Sequence, residues 1–118
     1  MEEYTVYDGT IPVMFTGVLL GRGSSESPHK DRWSETYIYR TEAGSYVVSK
    51  IGRTRVPRER DLTSASVCHT PEGVIEQLWQ LDDDEVRHMR RVDEVALLEA
   101  AKNDYDIDDA MRAGSYIA

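Results

Sequence analysis

The chain has 118 residues, of which 40% are hydrophobic and 31% charged, and its formal net charge is −8. This length and balance predict a single globular domain over residues 1–118 that buries its own core. No apolar stretch approaches the roughly 18 residues that cross a bilayer, and the acidic N-terminus lacks the pattern of a signal peptide. The single cysteine, Cys68, excludes an intrachain disulfide. We therefore expect a cytoplasmic protein without membrane contact.

The N-terminal part of the chain predicts a β-hairpin. Residues 4–7 alternate weakly and lead into Asp8-Gly9, a typical type I′ turn, after which 11–20 form a second strand. Gly17 within that strand indicates a bulge or a close approach of another segment. Residues 21–32 are rich in Gly, Ser and charged side chains, so they predict a flexible loop with little apolar surface to bury.

The next two strands, 33–40 and 45–53, form the most strongly predicted hairpin. Aromatic and β-branched residues dominate both strands, and the linker Thr41-Glu42-Ala43-Gly44 fits a type I turn with Gly44 in the left-handed position. Alternation places Trp33, Glu35, Tyr37 and Tyr39 on one face, and Thr36, Ile38 and Arg40 on the other. Neither face is polar throughout, so this hairpin is expected at the centre of the sheet.

The remaining sequence turns from strands to helices. Residues 62–68 alternate as a fifth strand, and Thr70-Pro71 then starts a helix with Thr70 as its cap. Its apolar stripe is Val74, Ile75, Leu78, Trp79 and Leu81. The acids Asp82–Glu85 resemble the first turn of a longer helix that buries residues up to Leu98. A short helix over 107–113 is expected to end at Gly114. These elements predict an α+β fold, in which an antiparallel sheet of four to five strands is packed by two to three C-terminal helices.

An arginine segment, Lys50–Arg60, stands out against the acidic chain. It holds five bases and one acid, so it carries +4 while the other 107 residues sum to −12. One hypothesis is that this loop, 52–61, and the strand end before it bind phosphates or an acidic protein surface. The alternative is a solvated loop whose cations compensate the acids of the same chain. Pro57 and the absence of interleaved aromatic residues favour this alternative. The candidate binding residues are Lys50, Arg53, Arg55, Arg58 and Arg60.

Acids are concentrated in the C-terminal third. Residues 82–118 contain eleven acids and five bases. They predict either an acidic surface that binds a basic partner or imitates nucleic acid, or an ordinary solvated helix face. The run Asp104–Asp109 imitates the start of a calcium loop, but Asp109 stands where that loop needs Gly and Ser115 where it needs Glu. We therefore expect no metal.

Catalytic motifs are weak throughout. His29, His69 and His88 are scattered, with no spacing that suits a metal. Cys68 and His69 are adjacent, so on a strand they point to opposite faces, and Cys68 is better explained as a small core residue. The sequence therefore predicts no catalytic residue and no cofactor.

A longer pattern offers one comparison. F-x-G at 15–17, a polar loop, and W-x-E-x-x-I-Y-R-T-x-x-G-x-Y-V at 33–47 resemble small bacterial proteins, some carried by mobile elements, and imply no site residue. We expect a non-enzymatic interaction or regulatory protein that acts on a protein partner, one with a basic surface if it meets 82–118. A homodimer is a further expectation, from an open edge of the N-terminal hairpin. The alternatives are a nucleic-acid-binding accessory module that uses Arg53–Arg60, and a small hydrolase or nuclease with an unrecognised site.

Overall fold

The computed structural model describes residues 1–115. Five antiparallel strands form one curled sheet in sequence order: β1 Glu2–Asp8, β2 Ile11–Ser24, β3 Arg32–Thr41, β4 Tyr46–Thr54 and β5 Leu62–Cys68. The helices are α1 Pro71–Leu78, α2 Arg91–Asn103 and α3 Tyr105–Ala110, followed by a π-helical turn, Met111–Ser115. A two-stranded ribbon, β6 Trp79–Leu81 and β7 Arg87–Met89, lies between α1 and α2. The α+β prediction is confirmed, with five strands and mostly C-terminal helices.

The predicted central hairpin, β3–β4, forms as its turn signals indicate. Gly44 has φ 89°, and its N–H donates to the Thr41 carbonyl at 2.9 Å. Thr41 in turn donates its N–H to the Ser45 carbonyl at 2.8 Å. Only glycine adopts this left-handed conformation without strain, so the turn fixes the register of the two strands.

The β1–β2 hairpin differs from its prediction at both ends. Asp8 pairs with Ile11, so the central turn residues are Gly9 and Thr10, one position later than expected. At the other end β2 continues to Ser24, and the prediction of a loop from 21 is wrong there. Polar composition suggested the loop, but glycine is what allows this strand to lie under a helix. A Cβ on Gly23 would lie 2.0 Å from the Val92 carbonyl of α2.

Irregular pairing also occurs later in β2 than predicted. The register with β3 shifts between Leu19 and Gly21, whereas Gly17 pairs regularly with Thr41. Gly17 instead makes the predicted close approach, since a Cβ there would lie 2.2 Å from the Arg40 carbonyl. The bulge turns Leu20 into the core beneath α2.

The sheet separates two hydrophobic clusters. On the helix-covered face, Ile38, Tyr46 and Val48 pack with residues of α1, α2 and α3. On the opposite, concave face, Tyr39 and Val47 pack with residues of β1 and β2. Rings of Tyr4 and Tyr39 lie 4.7 Å apart there. The curl brings the end of β1 to β5, where the Gly9 N–H donates to the Thr63 carbonyl at 2.9 Å.

Helix α1 starts as predicted and ends earlier. The Thr70 hydroxyl accepts from the Gly73 N–H at 3.0 Å, which satisfies one free amide of the first turn. Trp79 then adopts an extended conformation and begins β6. Leu81 consequently leaves the predicted helical stripe and is 65% exposed. None of the described helices is long and apolar enough to span a membrane.

The prediction of a helix opening at Asp82–Glu85 is wrong. These residues form the turn between β6 and β7, and α2 begins only at Arg91. One carboxylate oxygen of Asp82 accepts from the N–H groups of Asp84 and Val86, at 2.9 and 2.8 Å. Asp thus caps a turn here by the same local bonding that made it resemble a helix cap. The register of α2 follows: Leu97 is buried and Leu98, predicted to be in the core, is 40% exposed.

Candidate functional site

The arginine segment does not form one patch. Lys50 pairs with Thr36, on the helix-covered face of the sheet, whereas Arg53 pairs with Trp33 on the concave side. Strand β4 ends at Thr54, and β5 begins at Leu62, so the loop itself comprises residues 55–61. The five candidate cations are therefore divided between two faces and a loop, because successive side chains of a strand alternate.

Lys50 is engaged by a buried carboxylate. Asp93 of α2 is fully buried and lies with one oxygen 3.5 Å from the Lys50 ammonium. It also accepts from the Thr36 hydroxyl at 2.6 Å and from Arg90 Nε at 3.2 Å. Three donors from β3, β4 and the start of α2 thus compensate the burial of one charge. This cluster fastens α2 to the sheet, so Lys50 has a structural role.

Arg53 is engaged by Glu35, another buried acid. The carboxylate of Glu35 accepts from Trp33 Nε1 at 2.8 Å, the Tyr37 hydroxyl at 2.8 Å and Arg53 Nε at 3.1 Å. Burial alone would raise the pKa of Glu35, but these three donors outweigh it and hold that pKa below its ordinary value. Burial and the bond to Glu35 raise the pKa of Tyr37. Arg53 also pairs with Asp61 at 3.1 Å.

Arg55 is held by aromatic and polar contacts. Its guanidinium lies 4.3 Å from the centre of the Trp33 ring and pairs with Glu26 at 2.8 Å. It also donates to the Ser27 carbonyl at 3.2 Å. No aromatic residue lies within the arginine segment itself, yet the neighbouring strand β3 supplies one. The cross-strand pairing of Trp33 with Arg53 is the signal that would have located it.

Arg58 and Arg60 are the two candidate residues of the segment for which no internal ion pair is found among the described residues. Both are exposed, and neither makes an ion pair with a residue in the described part of the chain. Arg60 lies at a groove of about 570 Å³ with Trp33 and Leu62. Arg58 has φ 71°, an unusual backbone conformation for a residue with a side chain. Of the five predicted binding residues, the geometry leaves two available.

The first acid of the calcium-like run is also used internally. Asp104 accepts from Arg40 Nη1 and from the Tyr46 hydroxyl, each at 2.7 Å. It caps α3 through the Ile107 N–H at 3.2 Å. Burial and the bond to Asp104 raise the pKa of Tyr46 above its ordinary value. Asp104 therefore joins α3 to the sheet. Its internal hydrogen bonds explain its place at the start of the acidic run without a calcium ion.

Four acids at the ribbon turn behave differently. Asp82, Asp83, Asp84 and Glu85, here called the acidic tip, are all exposed. None makes an ion pair with any residue among 1–115. The apolar side chains next to the tip are uncovered as well, with Leu81 65% and Val86 56% exposed. The acidic tip is thus a projecting anionic surface with apolar flanks.

Cys68 and His69, which are adjacent in the sequence, lie in different environments. Cys68 is buried against α1, and burial raises the pKa of its thiol. His69 is exposed, with Nδ1 3.3 Å from the Ser45 hydroxyl. Within residues 1–115, no group of three or more His, Cys, Asp or Glu side chains is placed to hold a metal ion.

Comparisons with known proteins return no match to any family model, curated protein or solved structure. The charged and apolar groups that the fold leaves exposed and without an ion pair are therefore the basis for assigning a function.

Proposed function

We propose that this protein is a non-enzymatic interaction or regulatory protein that binds the basic surface of a protein partner. The acidic tip is its principal contact. The supporting observation is the number of acidic and basic side chains that form ion pairs within the protein. Among the described residues, nine of the fourteen bases and ten of the twenty-two acids pair with one another. The charges left for an external partner are therefore mainly negative.

Exposed apolar groups beside those charges support the same proposal. An interface usually combines an apolar centre with a polar rim, and the acids steer the partner while the apolar area holds it. Leu81 and Val86 provide such an area on either side of the acidic tip. A partner with arginine or lysine around a small apolar patch would complement it.

Affinity capture from an extract of the source cell, treated with nuclease, tests this proposal. The wild-type chain should retain a basic protein at low salt and lose it at high salt. The variant Asp83→Asn/Asp84→Asn/Glu85→Asn should lose it at both. Asp82 stays because it caps the turn. The matched control, Glu42→Gln/Glu72→Gln/Asp109→Asn, removes the same charge from scattered exposed positions and should retain the partner. Equal capture by both variants would contradict the role of the acidic tip.

Nucleic-acid binding is the second candidate function. It is favoured by Arg58 and Arg60, which are exposed and form no ion pair with a described residue, and by the half-buried Trp33, which shares a groove with Arg60. Two cations and one ring would give weak, strongly salt-dependent binding to a single strand. Fluorescence anisotropy with a labelled oligonucleotide tests it: Arg58→Ala/Arg60→Ala should abolish binding at low salt. Binding that survives the change would reject this site, and capture that depends on nuclease would favour this function over the first.

A further inference from the structure

Strand β1 is an edge of the sheet with an exposed outer side. Its hairpin closes on the pair Asp8–Ile11, so hydrogen-bonded positions alternate from there. Pro12, which has no N–H, stands opposite Tyr7 at a non-bonded position, as this alternation requires. The backbone N–H and C=O groups of Glu3, Thr5 and Tyr7 consequently point away from β2. All three residues are exposed.

The curl of the sheet leaves most of this edge uncovered. Its hydrogen bonds to β5 lie at the turn end of the strand. There the Gly9 N–H donates to the Thr63 carbonyl at 2.9 Å, and the Asp8 carboxylate accepts from the Ala65 N–H at 3.4 Å. The hydroxyl of Thr63 donates back to the Gly9 carbonyl at 2.8 Å. Among the described strands, β1 pairs only with β2. From Glu3 to Thr5 the outer backbone groups therefore have no strand beside them.

The charge of this hairpin is one-sided. Residues 1–21 contain Glu2, Glu3 and Asp8 and no lysine or arginine. The three acids make no ion pair with any residue in the described range. A second copy would bring the same acids against this edge without a compensating cation. A segment with lysine or arginine side chains would instead neutralise it.

Apolar side chains are available on both faces next to the edge. Tyr7 is 48% exposed on the outer face, and on the same face Met14, across the hairpin, is 75% exposed. On the concave face the half-buried rings of Tyr4 and Phe15 lie 5.6 Å apart. A strand added beside β1 would place its side chains alternately over these two faces.

From these observations we infer that the outer edge of β1 accepts an extended basic segment of the protein partner as a sixth strand. The inference rests on the proposed function for the existence of that partner. It differs in location, since the acidic tip lies in the separate ribbon of β6 and β7. Backbone bonds from Glu3 and Thr5 would hold the segment, and Glu2 and Glu3 would select its charge.

Amide hydrogen exchange of the isolated protein tests the edge without the natural partner. The probe is a synthetic octapeptide of alternating lysine and valine. At a peptide concentration that occupies about nine molecules in ten, the amides of Glu3 and Thr5 should exchange about tenfold more slowly, because only the free tenth exchanges. Those of Tyr4 and Val6 already bond to β2 and should change little. A peptide of the same sequence and charge in which every backbone nitrogen is methylated should give no protection, because neither side of its backbone can pair with β1.

Two variants complete the experiment. Thr5→Pro removes an outward N–H at an edge position where proline is tolerated, and it should abolish the protection. Thr5→Val keeps the amide and should preserve it. Equal protection by both peptides, or none at Glu3 and Thr5, would overturn the inference, and the peptide comparison decides even if Thr5→Pro fails to fold. The acidic-tip variant should leave this result unchanged, so failure of the proposed function and failure of the edge site give different outcomes.

Discussion

The arginine segment and the acidic tip are two densely charged stretches of opposite sign, and the fold uses them in opposite ways. Lys50, Arg53 and Arg55 form ion pairs with acids from other parts of the chain, and Arg55 also packs over the ring of Trp33. The acidic tip projects from a two-stranded ribbon and pairs with no described cation. The comparison shows that a charged run in a sequence indicates a binding surface only for the charges that remain after internal pairing.

Removing the acid that holds Lys50 should have the largest effect on stability. Asp93→Asn keeps the size of the side chain but leaves Lys50 and Arg90 without their carboxylate. The expected loss is about 3 kcal/mol in the free energy of unfolding, because the carboxylate is fully buried while the two cations that lose it stay partly exposed. Urea denaturation measures it. The exposed pair of Arg91 and Glu94 provides the control, since Arg91→Gln should cost less than about 0.5 kcal/mol. Equal costs would show that the two pairs are not distinguished by burial.

Glu35 should come next, and its effect should depend on pH. Glu35→Gln removes the charge that three donors share and should cost about 2 kcal/mol near neutral pH. Because the pKa of Glu35 is lowered in the folded protein, its stabilisation is present above the ordinary pKa of glutamate and is lost as pH falls through the folded value. The wild type should therefore lose its advantage over the variant in acid. A difference in stability that stays constant from neutral pH into acid would contradict this.

Local signals account for what the sequence predicted of the fold. Gly44 specified the β3–β4 turn and Thr70-Pro71 the start of α1, and both depend only on neighbouring residues. Gly21 and Gly23 were interpreted as loop residues because their partner, α2, lies about seventy positions further along the chain. The ribbon of β6 and β7 was not predicted for a similar reason. It depends on the pairing of Trp79 with Met89, whereas the local sequence at Asp82–Glu85 resembles the first turn of a helix.

The same limit applies to the candidate site. The sequence identified the arginine segment as a candidate and also supplied the alternative that its cations answer internal acids. The sequence did not show which acids pair with these cations, because Glu35 and Asp93 belong to β3 and α2, which contact β4 only in the folded chain. The acidic tip was recognised as acidic but placed in a helix, where it would have stabilised a terminus instead of projecting from a turn.

Arg55 offers a smaller effect that separates packing from charge. Arg55→Ala removes the guanidinium over Trp33 and should cost about 1 kcal/mol. Trp33 fluorescence should shift to the red as water reaches the ring. Arg55→Lys, which restores the charge without the planar stack, should recover only part of the loss. Full recovery by lysine would indicate that charge alone matters at this position.

Neutralising the acidic tip should have the smallest effect on stability. Asp83→Asn/Asp84→Asn/Glu85→Asn breaks no ion pair with a described residue, and asparagine tolerates the φ of 61° at Glu85. The free energy of unfolding should change by less than about 0.5 kcal/mol. Thermal unfolding of the variant beside the wild type measures the difference. A large loss of stability would mean that these acids serve the fold, as the arginine segment does.

The most direct test of the account is the ionic-strength dependence of association with the captured basic partner. Stopped-flow measurements should show that salt slows association more than it speeds dissociation, as expected when unpaired charges steer the encounter. The acidic-tip variant should associate more slowly at low salt and with a flatter salt dependence, whereas the scattered-charge control should follow the wild type closely. An identical salt dependence for the wild type and the acidic-tip variant would contradict the claim that these acids, left over after internal pairing, form the partner-binding surface.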